Sequence, residues 1–381
     1  GGPLMSVELF GLSFNPWADA AIRLQIIVGF MTVVVMGLIY AERKILARFH
    51  QRIGPQRTGP KGTLQSVADA VKLVGKEDLR PAAADPWTFE LAPYFVFIPI
   101  FLGFVIVPWV QGWNVRILEL GILYFVAISS ISIVGWLMAG WGSDNRYAII
   151  GALRAAAQGI SYELPLVLAL LSAAMIAGSF QLDRIVEFQD TVPILVWQPL
   201  GFFIFFVAAL AELNRTPFDI PVGESEIVGG PFVEYSGIRW SMFFLAEYAG
   251  MLIMAFVGSS VFLGGYAWPF GEELGLPFQI LISAAKGGLF IFLIFWVRAS
   301  VPRLRIDQLM GYSWKVLLPF SFLQIMINGL VLVYDLPHVI LLVTGVALLG
   351  ALFWVTDGIA RRPLQPRRKL ARVLAVQESE G

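Results

Sequence analysis

Apolar runs of about twenty residues recur along this chain, and no other feature constrains its fold as tightly. A run of that length is what an α-helix needs to cross the hydrocarbon layer of a bilayer. Inside lipid the chain must satisfy every backbone N–H and C=O itself, which leaves helices and closed barrels as the spanning structures. Barrel strands alternate polar and apolar residues. These runs do not alternate, so the chain reads as an all-α, polytopic bundle of transmembrane helices. Composition agrees. Hydrophobic residues make up 57% of the chain and charged residues 14%, with a mean hydropathy of +0.74; soluble domains carry about 25% charged residues.

Nine candidate spans fall at roughly 20–40, 94–110, 118–140, 160–178, 196–213, 240–263, 279–299, 315–334 and 338–356. The largest polar stretch, 41–91, holds nine of the 27 lysines and arginines. The positive-inside rule places it in the cytoplasm and the N-terminus outside. Alternation then puts 142–159, 214–239, 299–314 and the tail from Asp357 on the cytoplasmic side, where Arg146, Arg154, Arg215, Arg239, Arg303, Arg305 and the cluster from Arg361 to Arg372 agree with it. Residues 5–357 read as a single transmembrane domain and 358–381 as a basic cytoplasmic tail. The four residues before Met5 read as a tag scar. From Leu64 onward, Leu64, Val67, Ala68, Val71 and Val74 share one helical face while Gln65, Asp69 and Lys72 lie elsewhere. That pattern predicts an amphipathic helix lying in the membrane interface.

Cysteine is absent, which excludes thiolate-bound iron–sulfur clusters and disulfides. His50 and His338 are far apart and make a poor case for a haem or histidine metal site. Any redox cofactor therefore belongs to a partner. The formal net charge is zero and gives no case for nucleic acid. Internal repeats are not evident, which weakens an inverted-repeat transporter.

Charge inside the bilayer is costly and marks function. Glu163, Glu212, Glu247 and Lys286 lie within or just beneath predicted spans. Each has a plainer explanation as a paired or snorkelling charge at a helix end, but Glu247 and Lys286 lie several residues into their spans. Between two apolar helices, ALAELNRTPFDIPVGESEIVGGPFVEYSG gathers Glu212, Asp219, Glu224, Glu226 and Glu234 against the single cation Arg215. Carboxylates crowded in low dielectric hold protons near neutral pH, so this row has the makings of a proton relay. Its plainer reading is a solvated acidic loop. Two features oppose that: it lies on the side where cations should dominate, and Ile220, Val222, Ile227, Val228, Phe232 and Tyr235 are interleaved with the acids.

Several long motifs carry a resemblance. They are YAERKILARFHQRIGPQRTGPKG, ADAVKLVGKED, LRAAAQGISYE, AELNRTPFD with GESEIV, EYSG and FFLAEY, and RASVPRLRIDQLM. Together they closely resemble one membrane-subunit family of NADH-quinone oxidoreductase, the respiratory complex I, from the first span to about Lys315. The resemblance implies a subunit that joins the membrane arm to the peripheral arm. With partner subunits carrying the terminal iron–sulfur cluster, it would enclose a quinone chamber entered from the bilayer. Family positions at that chamber match Arg43, Asp69, Lys72, Arg154, Arg215, Asp219, Glu224, Glu226 and Arg298. Those leading from the chamber toward antiporter-like subunits match Glu163, Glu212, Glu234 and Glu247, and Lys286 joins them on the strength of its intramembrane charge. The resemblance further implies ubiquinone or menaquinone as substrate, FMN and iron–sulfur clusters in partner subunits only, and small membrane subunits among the neighbours. The length and extra last span point to a bacterial plasma membrane rather than a mitochondrial inner membrane. The rivals are the homologous subunit of a membrane-bound hydrogenase-type complex and a stand-alone ion transporter. The EYSG, RIGP and GESE motifs match the NADH enzyme better than the former, and only composition favours the latter. One departure is visible: Val222 stands where the family carries a third loop carboxylate.

Overall fold

A computed structural model of the chain describes residues 16–111, 116–269 and 275–360. Residues 1–4, the tail from Arg361 and the side chain of Glu224 lie outside the described set. Among the described residues all regular structure is helical. The helices are α1 Pro16–Phe49, α2 Gln65–Gly75, α3 Pro86–Gly103, α4 Gly121–Gly142, α5 Arg146–Ala177, α6 Leu182–Phe188, α7 Ile194–Trp197, α8 Pro199–Glu212, α9 Glu224–Ile227, α10 Gly237–Phe262, α11 Leu276–Ser300, α12 Ile306–Tyr312, α13 Leu318–Val333 and α14 Val339–Ala360.

Seven of the described helical segments are long and apolar enough to cross a membrane: α3, α4, α5, α10, α11, α14, and α12 with α13. The last two are continuous through a π-helical turn at Ser313–Leu317. Among the described residues this bears out a polytopic helical bundle with seven such segments, and the full count of nine is not confirmed. The predicted span 196–213 is broken because Gln198 leaves the helical region and Pro199 cannot continue the preceding turn. What remains, α8, has 14 residues. Helix α1 has 34 residues, but the side chains of its first turns are not described and it is outside that count.

Two further boundaries differ from the hydropathy reading. Residues 142–159 are not a loop, because α5 begins at Arg146 with Asn145 as its N-cap, whose side chain accepts from Tyr147 N–H at 2.9 Å. The alanines of RYAIIGALRAAAQG favour helix, while its arginines only lower the hydropathy. The connector 299–314 likewise contains α12. The amphipathic helix is present as α2, with Val67, Val71 and Val74 exposed.

Helix α5 is the centre of the bundle, packing on α4, α8 and α13 with a face of small residues. Two interior prolines show how the surrounding segments are stitched to it and to α3. Pro93 has no N–H to give to Phe89 O, and the Tyr235 hydroxyl donates there instead at 3.1 Å. Pro165 leaves Ser161 O without its helical donor, and the Ser313 hydroxyl takes that place at 2.6 Å. The Tyr235 ring also stacks on Phe89 with centroids 4.2 Å apart. Tyr235→Phe and Ser313→Ala each strand a carbonyl and should cost about 1–3 kcal/mol. Thermal unfolding in detergent reads this directly, and unchanged melting for both variants would refute the substitution of these bonds.

The EYSG and KED motifs prove to be each other's partners. Ser236 Oγ donates to Glu77 O at 3.3 Å and accepts from Leu79 N–H at 3.4 Å. Arg239 pairs with Asp78 at 3.0 Å. Gly237 has φ 56, a left-handed backbone that suits glycine, and lies against Lys76 O. This contact anchors the start of α10, the helix that carries Glu247.

Candidate functional site

The buried face of α1 runs Met31, Val35, Ile39 and then Glu42. The spacing of four, four and three residues keeps all of them on one side of a helix. Glu42 is therefore drawn inward although cations follow it directly in sequence. Its carboxylate accepts from Arg215 at 3.3 Å and from Arg298 in a close ion pair. One side chain thus ties α1 to the loop after α8 and to the end of α11. The Arg215 guanidinium also lies over the Tyr248 ring, 4.4 Å from its centroid. Such a buried cluster adds little net stability over an apolar one, but it fixes the relative positions of the three segments.

Arg215 and Arg298 line a cavity of about 400 Å³. Its walls include Phe232, Trp240, Phe244 and Tyr248, with Val222, Asp219, Thr216 and Glu247 between them. Aromatic walls with a few convergent polar groups make a site for a small, flat molecule. A second, narrower cavity of about 60 Å³ lies among Pro99, Ile100, Phe125, Ser129, Ser132, Glu212 and Met254. Glu247 and Asn214 line both cavities. Glu247 is within electrostatic reach of Arg215 and Asp219 on one side, and Glu212 is within reach of Glu163 on the other. Glu163 in turn is bonded to the Ser130 hydroxyl.

The structure brings together some of the sequence-predicted residues and separates others. Arg215, Asp219, Arg298 and Glu247 meet at the larger cavity, and Glu212 joins Glu247 at the smaller one. Arg154 and Glu226 pair at 2.6 Å on the outer side of the acidic loop. The hydrogen bond from Arg154, helped by the nearby Arg303 and Arg305, holds the Glu226 carboxyl below the usual carboxylate range. Arg43 pairs with Asp69 at 2.7 Å, tying α1 to α2, and Lys72 stands exposed on α2; none of the three lines either cavity. Glu234 accepts from Asn145 at 2.6 Å, beside the start of α5. Lys286, on α11, lies beside the C-terminal end of α10, away from Glu247. Its ammonium donates to Leu263 O, Gly265 O and Trp268 O at 2.5, 2.7 and 2.5 Å, which uses all three of its protons. A cation on carbonyls just past a helix C-terminus complements the helix dipole.

Three residues at the site escaped the sequence reading. Glu42 was legible in the buried stripe of α1. Gln158, on the small-residue face of α5, donates to Ala211 O at 2.7 Å and Phe218 O at 2.8 Å, and so fixes the turn that carries Asn214 and Arg215. Arg303 reaches into the acidic loop from the connector after α11.

A family profile described as NADH dehydrogenase matches residues 22–329. The chain belongs to the NADH dehydrogenase family. Its relatives include an NADH-quinone oxidoreductase subunit of Dehalococcoides mccartyi (strain CBDB1), 44% identical over 313 residues, which are 82% of this chain and 87% of that protein. The subunit of the same name in Brevibacillus brevis (strain 47) is 45% identical over 316 residues, 83% of this chain and 93% of its own length. The family match takes in Glu42, both cavities and the acidic loop, and it ends before α14.

Proposed function

We propose that this chain is the quinone-chamber subunit of a proton-translocating NADH:quinone oxidoreductase, linking a peripheral redox arm to the membrane arm that moves protons. The observation that carries it is the position of Glu247, which faces both the aromatic cavity and the carboxylate-lined one. A quinone head group is flat and apolar with two carbonyl oxygens, and it suits a cavity with aromatic walls and arginines at one side. Its two-electron reduction consumes two protons and changes the charge felt by Arg215, Asp219 and Glu247. Glu247 can pass that change to Glu212 through the smaller cavity, which has room for water. Ser130 and Glu163 continue the line.

Arg154 and Glu226 belong in this reading to the outer edge of the chamber, and Glu224 is assigned to the chamber from the sequence alone. Arg43, Asp69 and Lys72 belong to the α1–α2 side facing the bilayer, and Glu234 flanks the path. Lys286 holds the outer end of α10. Electrons come from iron–sulfur clusters in a partner subunit, themselves fed from FMN and NADH. The neighbours are the peripheral-arm subunits at the quinone site, small membrane subunits and antiporter-like subunits. The naming of the bacterial relatives supports this assembly and a bacterial plasma membrane location, with ubiquinone or menaquinone as substrate. The charge asymmetry of the loops supports an outside N-terminus and a cytoplasmic C-terminus.

A photoreactive short-chain quinone tests the reading in the assembled complex. Label is expected on the segment 214–248, and excess unmodified quinone should displace it. Label confined to other segments would overturn the assignment of the cavity.

A further inference from the structure

The wall of the larger cavity between Arg215 and Gly229 has little regular structure of its own; its only helix, α9, has four residues. Its position must be set from outside. The connector after α11 does this. Leu304 N–H donates to Pro217 O at 3.1 Å, and the Arg303 guanidinium donates to Ile220 O at 3.3 Å. The same guanidinium lies directly against Gly223. A Cβ at that position would stand 2.6 Å from Arg303 Nη1 and 2.7 Å from Cζ, and nearer still to Nη2.

Gly223 has φ −33, which is outside the left-handed region that favours glycine. What the glycine supplies here is space, because any side chain at 223 would meet the guanidinium. Arg303 Nε is buried there without a hydrogen-bond partner, so the guanidinium forgoes a bond to occupy the notch. Its charge also acts on Glu226 at the far end of the same turn, alongside Arg154 and Arg305. Val222 and Asp219, which flank the turn held by Arg303, are loop side chains that line the cavity.

We propose that Arg303 is a positioning residue for the cavity: seated in the notch left by Gly223, it sets how far Val222 and Asp219 project toward a bound quinone. This rests on the reading of the cavity as the quinone chamber. A methyl at 223 pushes the guanidinium off Ile220 O. The arginine is flexible and can swing away, so the bundle persists while the turn loses its seat.

The test uses the assembled complex and a short-chain soluble quinone, with NADH oxidation by an artificial acceptor as the measure of intact upstream chemistry. Gly223→Ala and Arg303→Gln should each raise the quinone KM about fivefold or more while kcat stays within about twofold. The double variant should be no worse than Arg303→Gln alone, because without the guanidinium the methyl meets no obstacle. Multiplying effects in the double variant, or an unchanged KM for Gly223→Ala, would overturn the proposal. If Gly223→Ala fails to assemble, assembly restored by adding Arg303→Gln supports the notch and continued failure refutes it. Val222→Phe separates the two readings. An unchanged quinone KM there removes the chamber itself. A raised KM there with none for Gly223→Ala leaves the chamber standing and removes only the role of Arg303.

Discussion

Glu247→Gln should abolish quinone-coupled proton translocation while NADH oxidation by artificial acceptors continues. Glutamine keeps the shape and a hydrogen-bonding end but cannot take up and release a proton. Glu247 lies within α10 and lines both cavities. Asn214, the other residue common to both, has no titratable group. A step that depends on one titrating side chain loses about 10²–10⁴ in rate when that group is removed. Sealed vesicles with a pH-sensitive dye measure the pumping, and an artificial acceptor measures the flavin chemistry. Pumping at the unsubstituted rate in Glu247→Gln vesicles would end the relay role.

The second large effect is expected at Glu42. Its side chain is 3% exposed, and it is the counter-charge to Arg215, which is 7% exposed. Glu42→Ala leaves Arg215 buried without it and frees Arg298 from α1. Removing one partner from a buried ion pair costs about 3–5 kcal/mol, because the remaining charge is stranded. The three segments tied by this carboxylate should then loosen, and two of them line the larger cavity. The variant should show a lower melting temperature and greatly reduced quinone reduction. Glu42→Gln, which retains an acceptor, should lose less of both. Normal quinone kinetics in Glu42→Ala would show that the cluster is ornamental.

The bundle was legible because lipid demands long apolar runs, and a run of twenty such residues has few other uses. Hydropathy failed where helix and membrane part company. The first half of α5 is helical for its alanines but carries Arg146 and Arg154, so it reads as loop. At 196–213 the run is apolar throughout, yet Pro199 divides it. In the site, Glu247 and Glu212 stood out because a carboxylate inside an apolar run is conspicuous. Glu42 did not, because Arg43, Lys44 and Arg48 follow it and make it look like one charge among many at an interface. Arg303 was hidden for a related reason: an arginine on the cation-rich side satisfies topology without further explanation. Its role depends on a glycine eighty residues earlier in the chain, a distance that only folding closes. Lys286 was conspicuous for its depth, but sequence does not show that three carbonyls await its ammonium.

The bonds at Phe89 O and Ser161 O also limit the order in which this sequence can change over time. The Tyr235 hydroxyl is needed there only while residue 93 is proline. With any other residue at 93 a backbone N–H returns to that carbonyl, and phenylalanine at 235 becomes far more acceptable. Ser313 stands in the same relation to Pro165. In each pair the proline must leave before the hydroxyl can, and a lineage that reverses the order passes through a stranded carbonyl. Among descendants of a common ancestor, proline without its hydroxyl should be the rarest of the four combinations. The history of two positions far apart in the chain is thereby made a single history.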